Sequence, residues 1–125
     1  WSVHPIEHVL SAYYDITHGV GLAILTPSWM EYVLSDKTAP RFARFAREVF
    51  GIEEQNDRKA AKLGIGKVKE FNKTLDMPET LSEVGITDEK FDEMASEAVR
   101  TSGLSTRAYV RLQSTDVRQI LQNCR

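Results

Sequence analysis

Apolar residues recur along this chain at helical spacing, and no stretch of useful length alternates as a half-buried strand does. The clearest stripe occupies positions i, i+3, i+4, i+7 and i+8: Phe91, Met94, Ala95, Ala98 and Val99. Asp88 and Glu89 precede it, which favours a helix N-terminus there because the helix dipole attracts negative charge. Gly103 follows the stripe as a stop signal. The pattern therefore predicts a helix over this segment.

Three more stripes with this spacing predict three more helices: Phe42, Phe45, Val49 and Phe50; Ala61, Ile65, Val68, Phe71 and Leu75; and Val117, Ile120, Leu121 and Cys124. Gly64 and Gly66 interrupt the second of these stripes, and each weakens a helix by about 1 kcal/mol relative to alanine. Between the stripes, Met77 and Pro78 predict a loop, and residues 80–83 predict a capped turn. We therefore expect an all-α fold, built as a multi-helix bundle.

Length and charge narrow the choice of architecture and partner. The chain has 125 residues with a 42% apolar share, which suits a single domain over residues 1–125. Its 16 basic and 18 acidic residues nearly cancel, and the net charge of −2 argues against a nucleic-acid partner. Arg41, Arg44 and Arg47 form a row opposite the phenylalanines of their stripe. We interpret this row as the solvated face of an amphipathic helix, not as an anion-binding or membrane-facing stripe.

Cysteine content and hydropathy favour a reducing compartment and no membrane partner. The single cysteine, Cys124, cannot form an internal disulfide, so we expect a cytoplasmic location. The most apolar run extends from Val20 to Leu25 and stops at Thr26 and Pro27, well short of the length of a membrane helix. The chain begins with Trp1 and not with methionine, and we therefore expect it to be a fragment of a longer chain.

All three histidines lie within the first 18 positions, which makes this segment the candidate for chemistry. His4 and His8 are four residues apart and would share one side of a helix. His18 would lie about 21 Å from His4 on one straight helix, too far to share a metal ion. The caps and glycines between Asp15 and Gly21 predict a break that would bring His4 and His18 together. Such a cluster could bind a metal or transfer protons, although helical histidines are often surface or core residues without such a role.

Two short motifs in this segment suggest other enzymes. Residues 4–8 read H-x-x-E-H, the inverted zinc-peptidase motif, with Glu7 as the general base between two ligands. This motif is weak evidence, because Pro5 follows the first ligand and a third ligand is still required. Residues 19–24 are similar to half of a dinucleotide-binding loop, but the third small residue and the preceding strand are missing. We therefore reject the dinucleotide loop and keep the peptidase as an alternative.

The longer pattern over residues 1–21, WSVHPIEHVLSAYYDITHGVG, resembles the histidine-rich signature of the iron-containing (group III) alcohol dehydrogenases. The match continues through Leu22 to Pro27, and residues 77–86 also look like the C-terminal domain of this family. The resemblance covers essentially the whole chain. Within the family, the chain is most similar to the NAD(P)H-dependent butanol dehydrogenase-like branch. The fold that this implies is the helical C-terminal domain of a dehydroquinate synthase-like enzyme.

The resemblance also implies roles for the three histidines. Family members bind one divalent metal, iron or zinc, through four protein ligands, and His4 and His18 occupy the places of two of them. His8 matches an active-site histidine that is not a direct metal ligand but lies close to the substrate and nicotinamide, so it would act as a proton relay or as a residue that hydrogen-bonds the groups around the metal. Asp15 is more consistent with a cap or turn than with a ligand. The other two ligands, an aspartate and a histidine, would lie upstream of Trp1.

The function implied is the interconversion of primary alcohols and aldehydes by hydride transfer to or from NAD(P). The cofactor would bind mainly to an N-terminal nucleotide-binding α/β domain that is absent from these residues. We therefore expect this fragment alone to be inactive and the intact enzyme to be a homodimer acting on a small alcohol or aldehyde. The alternatives are a free-standing helical interaction module, in which the histidines are incidental, and a fragment of an H-x-x-E-H zinc peptidase.

Overall fold

The computed structural model describes residues 3–106 and 108–125, and these contain six α-helices and no strand. The helices are α1 (Val3–Tyr14), α2 (His18–Val33), α3 (Ala39–Phe50), α4 (Asp57–Thr74), α5 (Phe91–Arg100) and α6 (Ser114–Asn123). Short 3₁₀ turns span Ser82–Val84 and Asp88–Lys90. The all-α prediction is confirmed. Within the described residues, no helix is long and apolar enough to cross a membrane.

The main core lies where α1, α2, α5 and α6 pack together. The predicted stripe of α5 faces this core, with Phe91, Met94, Ala95 and Ala98 buried and Val99 half-buried. All four apolar residues of the last predicted stripe are also buried. Both stripes are therefore confirmed, because each helix buries the one face that its spacing makes apolar.

Helices α3 and α4 form a second packed pair that joins the core through α2. Ala46 of α3 and Gly64 of α4 meet where the two helices approach closely: a Cβ added at Gly64 would lie 2.6 Å from the Cβ of Ala46. Gly64 therefore has a packing role in addition to its cost in helix propensity. A Cβ added at Gly66 would have no neighbour within 4 Å among the described residues.

The predicted stripe of α4 is only half right. Ala61 and Ile65 are buried, but Phe71 is 56% exposed and Leu75 is 53% exposed. The inward face continues instead to Asn72, whose side-chain amide donates a hydrogen bond to the carbonyl of Ala23 in α2 at 3.0 Å. Because Phe71 is about 100° around the helix from Asn72, it is turned away from the core.

The arginine row of α3 is also only partly as predicted. Arg41 and Arg44 are exposed, and Arg44 pairs with Glu48 one turn later. Arg47 instead folds back and donates hydrogen bonds to the carbonyls of Glu54 and Gln55 and to the carboxylate of Asp57. Arg47 therefore fixes the connection from α3 to α4, a role that helical spacing does not reveal.

The predicted loop and capped turn follow α4. Met77 and Pro78 lie in the connection, and the Glu83 carboxylate accepts hydrogen bonds from the backbone N–H groups of Glu79 and Thr80. The Thr80 hydroxyl in turn accepts from the backbone N–H of Glu83. These bonds satisfy donors that would otherwise be unpaired at the start of the turn. The interpretation of this segment as a capped turn is confirmed.

Candidate functional site

The histidine segment folds as a helix, a tight turn and a second helix, as its pattern predicts. Helix α1 ends at Tyr14, and Asp15 takes a left-handed backbone conformation with φ of 54°. The N–H of Asp15 donates to the carbonyl of Ser11 at 2.8 Å, which closes the last turn of α1. Thr17 has the extended conformation of an N-cap, and α2 begins at His18. Asp15 is therefore a turn residue, and Thr17 holds the cap position.

This hairpin brings the three imidazoles together. The ring centroids of His4 and His18 are 5.4 Å apart, with the ring planes within 9° of parallel. The His8 ring lies 5.7 Å from that of His18 and 6.4 Å from that of His4. All three histidines are exposed. The three side chains therefore form one cluster at the surface, where a group that is not part of the described residues can reach them.

A buried glutamate lies beneath the cluster. The Glu7 side chain is completely buried, and its Oε1 is paired with Nδ1 of His18. Its other oxygen, Oε2, accepts a hydrogen bond from the Ser11 hydroxyl at 2.5 Å. Both oxygens therefore have partners, as a buried carboxylate requires.

The inward orientation of Glu7 does not fit the peptidase alternative. In that mechanism the glutamate must face a water molecule bound to the metal held by His4 and His8. Glu7 instead points into the interface between α1 and α2, with both oxygens engaged. The H-x-x-E-H string is present in the sequence, but its glutamate is not placed as a general base.

The H-x-x-E-H motif assigns Glu7 a role as general base and does not predict its contact with His18. A signal was available in the pattern of α1. Glu7 follows Val3 by four residues and precedes Leu10 by three, so it lies on the buried face of the helix. A charged residue on a buried face needs a partner, but only the packing of α2 shows which one.

Gly21 of α2 leaves the space that this glutamate occupies. A Cβ added at Gly21 would lie 2.2 Å from Oε2 and 2.7 Å from Cγ of Glu7. A Cβ added at Gly19, two residues earlier, would have no neighbour within 4 Å among the described residues. The close approach of the two helices therefore depends on Gly21 and not on Gly19.

The donor set fits part of a metal site. Imidazole nitrogens suit both iron and zinc, and a metal-bound histidine usually donates its other N–H to a carboxylate or carbonyl. The pairing of His18 with Glu7 has this form. In the part of the chain that the structure describes, no three histidine, cysteine, aspartate or glutamate side chains are grouped so that they could hold an ion. An ion bound at the imidazole cluster would therefore need further ligands from outside the described residues.

Comparison with known proteins identifies the family. The sequence model of the family described as "Fe-containing alcohol dehydrogenase family, C-terminal" matches residues 1–124 of this chain. The NADH-dependent butanol dehydrogenase A of Clostridium acetobutylicum is 46% identical over 123 residues, which are 98% of this chain and 32% of that protein. A probable NADH-dependent butanol dehydrogenase of Bacillus subtilis is 39% identical over 98% of this chain and 31% of its own length.

A solved structure agrees with the sequence comparison. The NADH-dependent butanol dehydrogenase A from Thermotoga maritima superposes with a TM-score of 0.86 at 37% identity, over 99% of this chain and 32% of that one. The chain therefore spans about a third of the length of the relatives that it matches. These matches confirm the resemblance drawn from the histidine signature, and the chain belongs to the iron-containing alcohol dehydrogenase family, whose C-terminal helical domain it matches.

Proposed function

We propose that this chain is the metal-binding helical domain of an NAD(P)-dependent alcohol dehydrogenase that interconverts primary alcohols and aldehydes. The observation that carries the proposal is the gathering of His4, His8 and His18 on one surface by the α1–α2 hairpin. Membership of the family supports it. Two relatives are a known and a probable NADH-dependent butanol dehydrogenase, and this favours NADH as the cofactor and a short primary alcohol or its aldehyde as the substrate.

His4 and His18 are the proposed metal ligands. They lie on different helices with ring centroids 5.4 Å apart, a separation that two ligands of one ion can have when each metal–nitrogen bond is about 2.0–2.1 Å. When bound, a divalent iron or zinc supplies Lewis acidity to the substrate oxygen, and NAD(P) supplies the hydride acceptor or donor. The histidines of this chain orient the substrate from the face that the helical domain contributes to the active site.

His8 is proposed to act on the proton of the substrate. It lies one turn along α1 from His4, is exposed, and has its ring 5.7 Å from that of His18. A ring nitrogen there can accept the proton of an alcohol directly or hydrogen-bond a group that does so. The position of His8 suits a proton relay and a residue that only hydrogen-bonds the groups around the metal equally well.

The remaining parts of the enzyme are proposed to come from an N-terminal nucleotide-binding α/β domain. The relatives are about three times as long as the matched region, which leaves room for the other two metal ligands and the NAD(P) site. By the same resemblance, we propose a cytoplasmic homodimer as the active form. The free-standing interaction module has no specific observation in its favour.

Metal content and activity, measured together, test the proposal. In the full-length protein that carries this chain, His4→Ala and His18→Ala should each lose bound metal by elemental analysis and lose NADH-dependent butyraldehyde reduction. His8→Ala is the matched variant, and it should retain the metal while activity falls. Unchanged metal content in His4→Ala would overturn the ligand assignment.

A second measurement concerns the chain on its own. Residues 1–125 with added zinc or ferrous iron, NADH and butyraldehyde should show no turnover. These residues supply two of the four proposed metal ligands, and the proposed nucleotide-binding domain lies outside them. Robust turnover by these residues alone would contradict the proposal that a separate domain supplies the NAD(P) site and two of the metal ligands.

A further inference from the structure

We propose that Glu7 is a positioning residue that fixes the tautomer and orientation of His18, and that Gly21 is required because the Glu7 carboxylate occupies its side-chain space. The effect on the tautomer concerns this chain alone. The consequence for metal binding rests on the proposed function. Glu7 itself touches neither substrate nor cofactor in this scheme, because it lies beneath the imidazole cluster.

The tautomer follows from the chemistry of the contact. A carboxylate can only accept hydrogen bonds, so the proton of a neutral His18 ring must be on Nδ1, the nitrogen that faces Glu7. The Nε2 atom then carries the free lone pair. This is the nitrogen that can bind a metal ion, because its partner nitrogen is already engaged.

The orientation of the carboxylate is set by a second donor. Ser11 lies one turn after Glu7 on α1, and its hydroxyl is 2.5 Å from Oε2 of Glu7 and 3.2 Å from the carbonyl of Ile16. Ser11 therefore links the glutamate to the turn that leads into His18. With one oxygen held by Ser11, the other is directed at Nδ1 of His18.

Helix α2 completes the arrangement from the other side. Gly21 follows His18 by three residues, so both lie on the same side of α2. A Cβ at Gly21 would fall 2.2 Å from Oε2 of Glu7, and an alanine would have to displace the carboxylate. Gly19 offers a matched control on the same helix, because a Cβ there meets no atom of the described residues within 4 Å.

Nitrogen-15 NMR of the imidazole rings tests the tautomer directly. In metal-free full-length protein labelled with ¹⁵N-histidine, at a pH where the rings are neutral, His18 should carry its proton on Nδ1. Glu7→Leu should shift His18 toward the Nε2–H form, whereas Glu7→Gln should keep the wild-type pattern because its amide oxygen still accepts. Gly21→Ala should behave like Glu7→Leu, and Gly19→Ala should behave like the wild type.

Metal affinity tests the consequence. Competition with a chelator for zinc should show that Glu7→Leu and Gly21→Ala each weaken binding by about 10- to 100-fold, the range found when the carboxylate behind a ligating histidine is removed. Glu7→Gln and Gly19→Ala should stay close to the wild type. Circular dichroism checks that each variant is folded, and Gly21→Ala keeps the test available should Glu7→Leu not fold.

The two proposals fail in different ways. If His4→Ala and His18→Ala keep their metal, the proposed function is wrong, whatever Glu7 does. If those variants lose metal but Glu7→Leu and Gly21→Ala leave the His18 tautomer unchanged, the positioning role is wrong and the proposed function stands. A changed tautomer with unchanged zinc affinity would overturn the link between Glu7 and metal binding.

Discussion

Two glycines of α4 should respond differently to the same substitution. Gly64→Ala and Gly66→Ala each add one methyl group to the interior of the same helix, two residues apart. At Gly66 the new Cβ would meet no atom of the described residues within 4 Å. At Gly64 it would lie 2.6 Å from the Cβ and 3.3 Å from the Cα of Ala46, closer than carbon atoms pack.

The magnitudes follow from these surroundings. Replacing glycine by alanine in a helix interior gains about 1 kcal/mol in the free energy of unfolding, because the unfolded chain loses freedom. Gly66→Ala should realise most of this gain. Gly64→Ala must also separate α3 from α4, and overpacking of this kind costs about 1 to 3 kcal/mol. We therefore expect Gly64→Ala to be neutral to about 2 kcal/mol destabilising, and the two variants to differ by about 1 to 3 kcal/mol.

Urea unfolding followed by far-ultraviolet circular dichroism measures this difference. Ala46→Gly provides a further control, because it removes the methyl group that Gly64→Ala would meet. In the variant that combines Ala46→Gly with Gly64→Ala, the packing cost of Gly64→Ala should largely disappear. A double-mutant cycle should therefore show that the double variant is more stable than the sum of the two single effects. Equal shifts in stability for Gly64→Ala and Gly66→Ala, or strict additivity with Ala46→Gly, would refute the close-approach explanation.

Three further expectations concern other parts of the fold. Phe91→Ala should lower the free energy of unfolding by about 3 to 5 kcal/mol and Phe71→Ala by less than about 0.5 kcal/mol, because Phe91 is buried and Phe71 is exposed. Equal losses measured by urea unfolding would contradict this expectation. Asn56→Ala should cost about 1 kcal/mol, since the Asn56 side chain accepts from the N–H of Lys59 at the start of α4; Asn56→Asp should restore most of it. Burial raises the pKa of the Cys124 thiol to about 11, so the native thiol should react slowly with iodoacetamide at about pH 8.5, where an exposed thiol is half ionised. Because the pKa of this thiol is higher in the folded state, the free energy of unfolding should fall as pH rises from about 8.5 toward 11. If iodoacetamide labelled the native protein as fast as the urea-unfolded protein, the burial of Cys124 would be contradicted.

Much of the fold could be predicted from periodicity because most helices here bury one face. The stripe of α5 and the final stripe need only their own spacing, and each is buried as predicted. The stripe of α4 fails after Val68, since spacing alone does not distinguish Phe71 from Asn72 as the inward residue. The structure resolves this because the carbonyl of Ala23 lies where an amide donor, and not a phenyl ring, is required.

The sequence by itself determined that the chain is helical, that the first helix breaks before His18, and that the three histidines belong to one segment. Local rules decide these features: helical spacing, caps, glycines and the rise of 1.5 Å per residue. Only the tertiary structure decided which groups support the histidines. Glu7 and His18 are eleven residues apart on different helices, and their contact exists because α1 and α2 approach closely enough at Gly21 for a buried carboxylate to fill the space. That pairing depends on the distance between two packed surfaces, which no pattern along either helix contains.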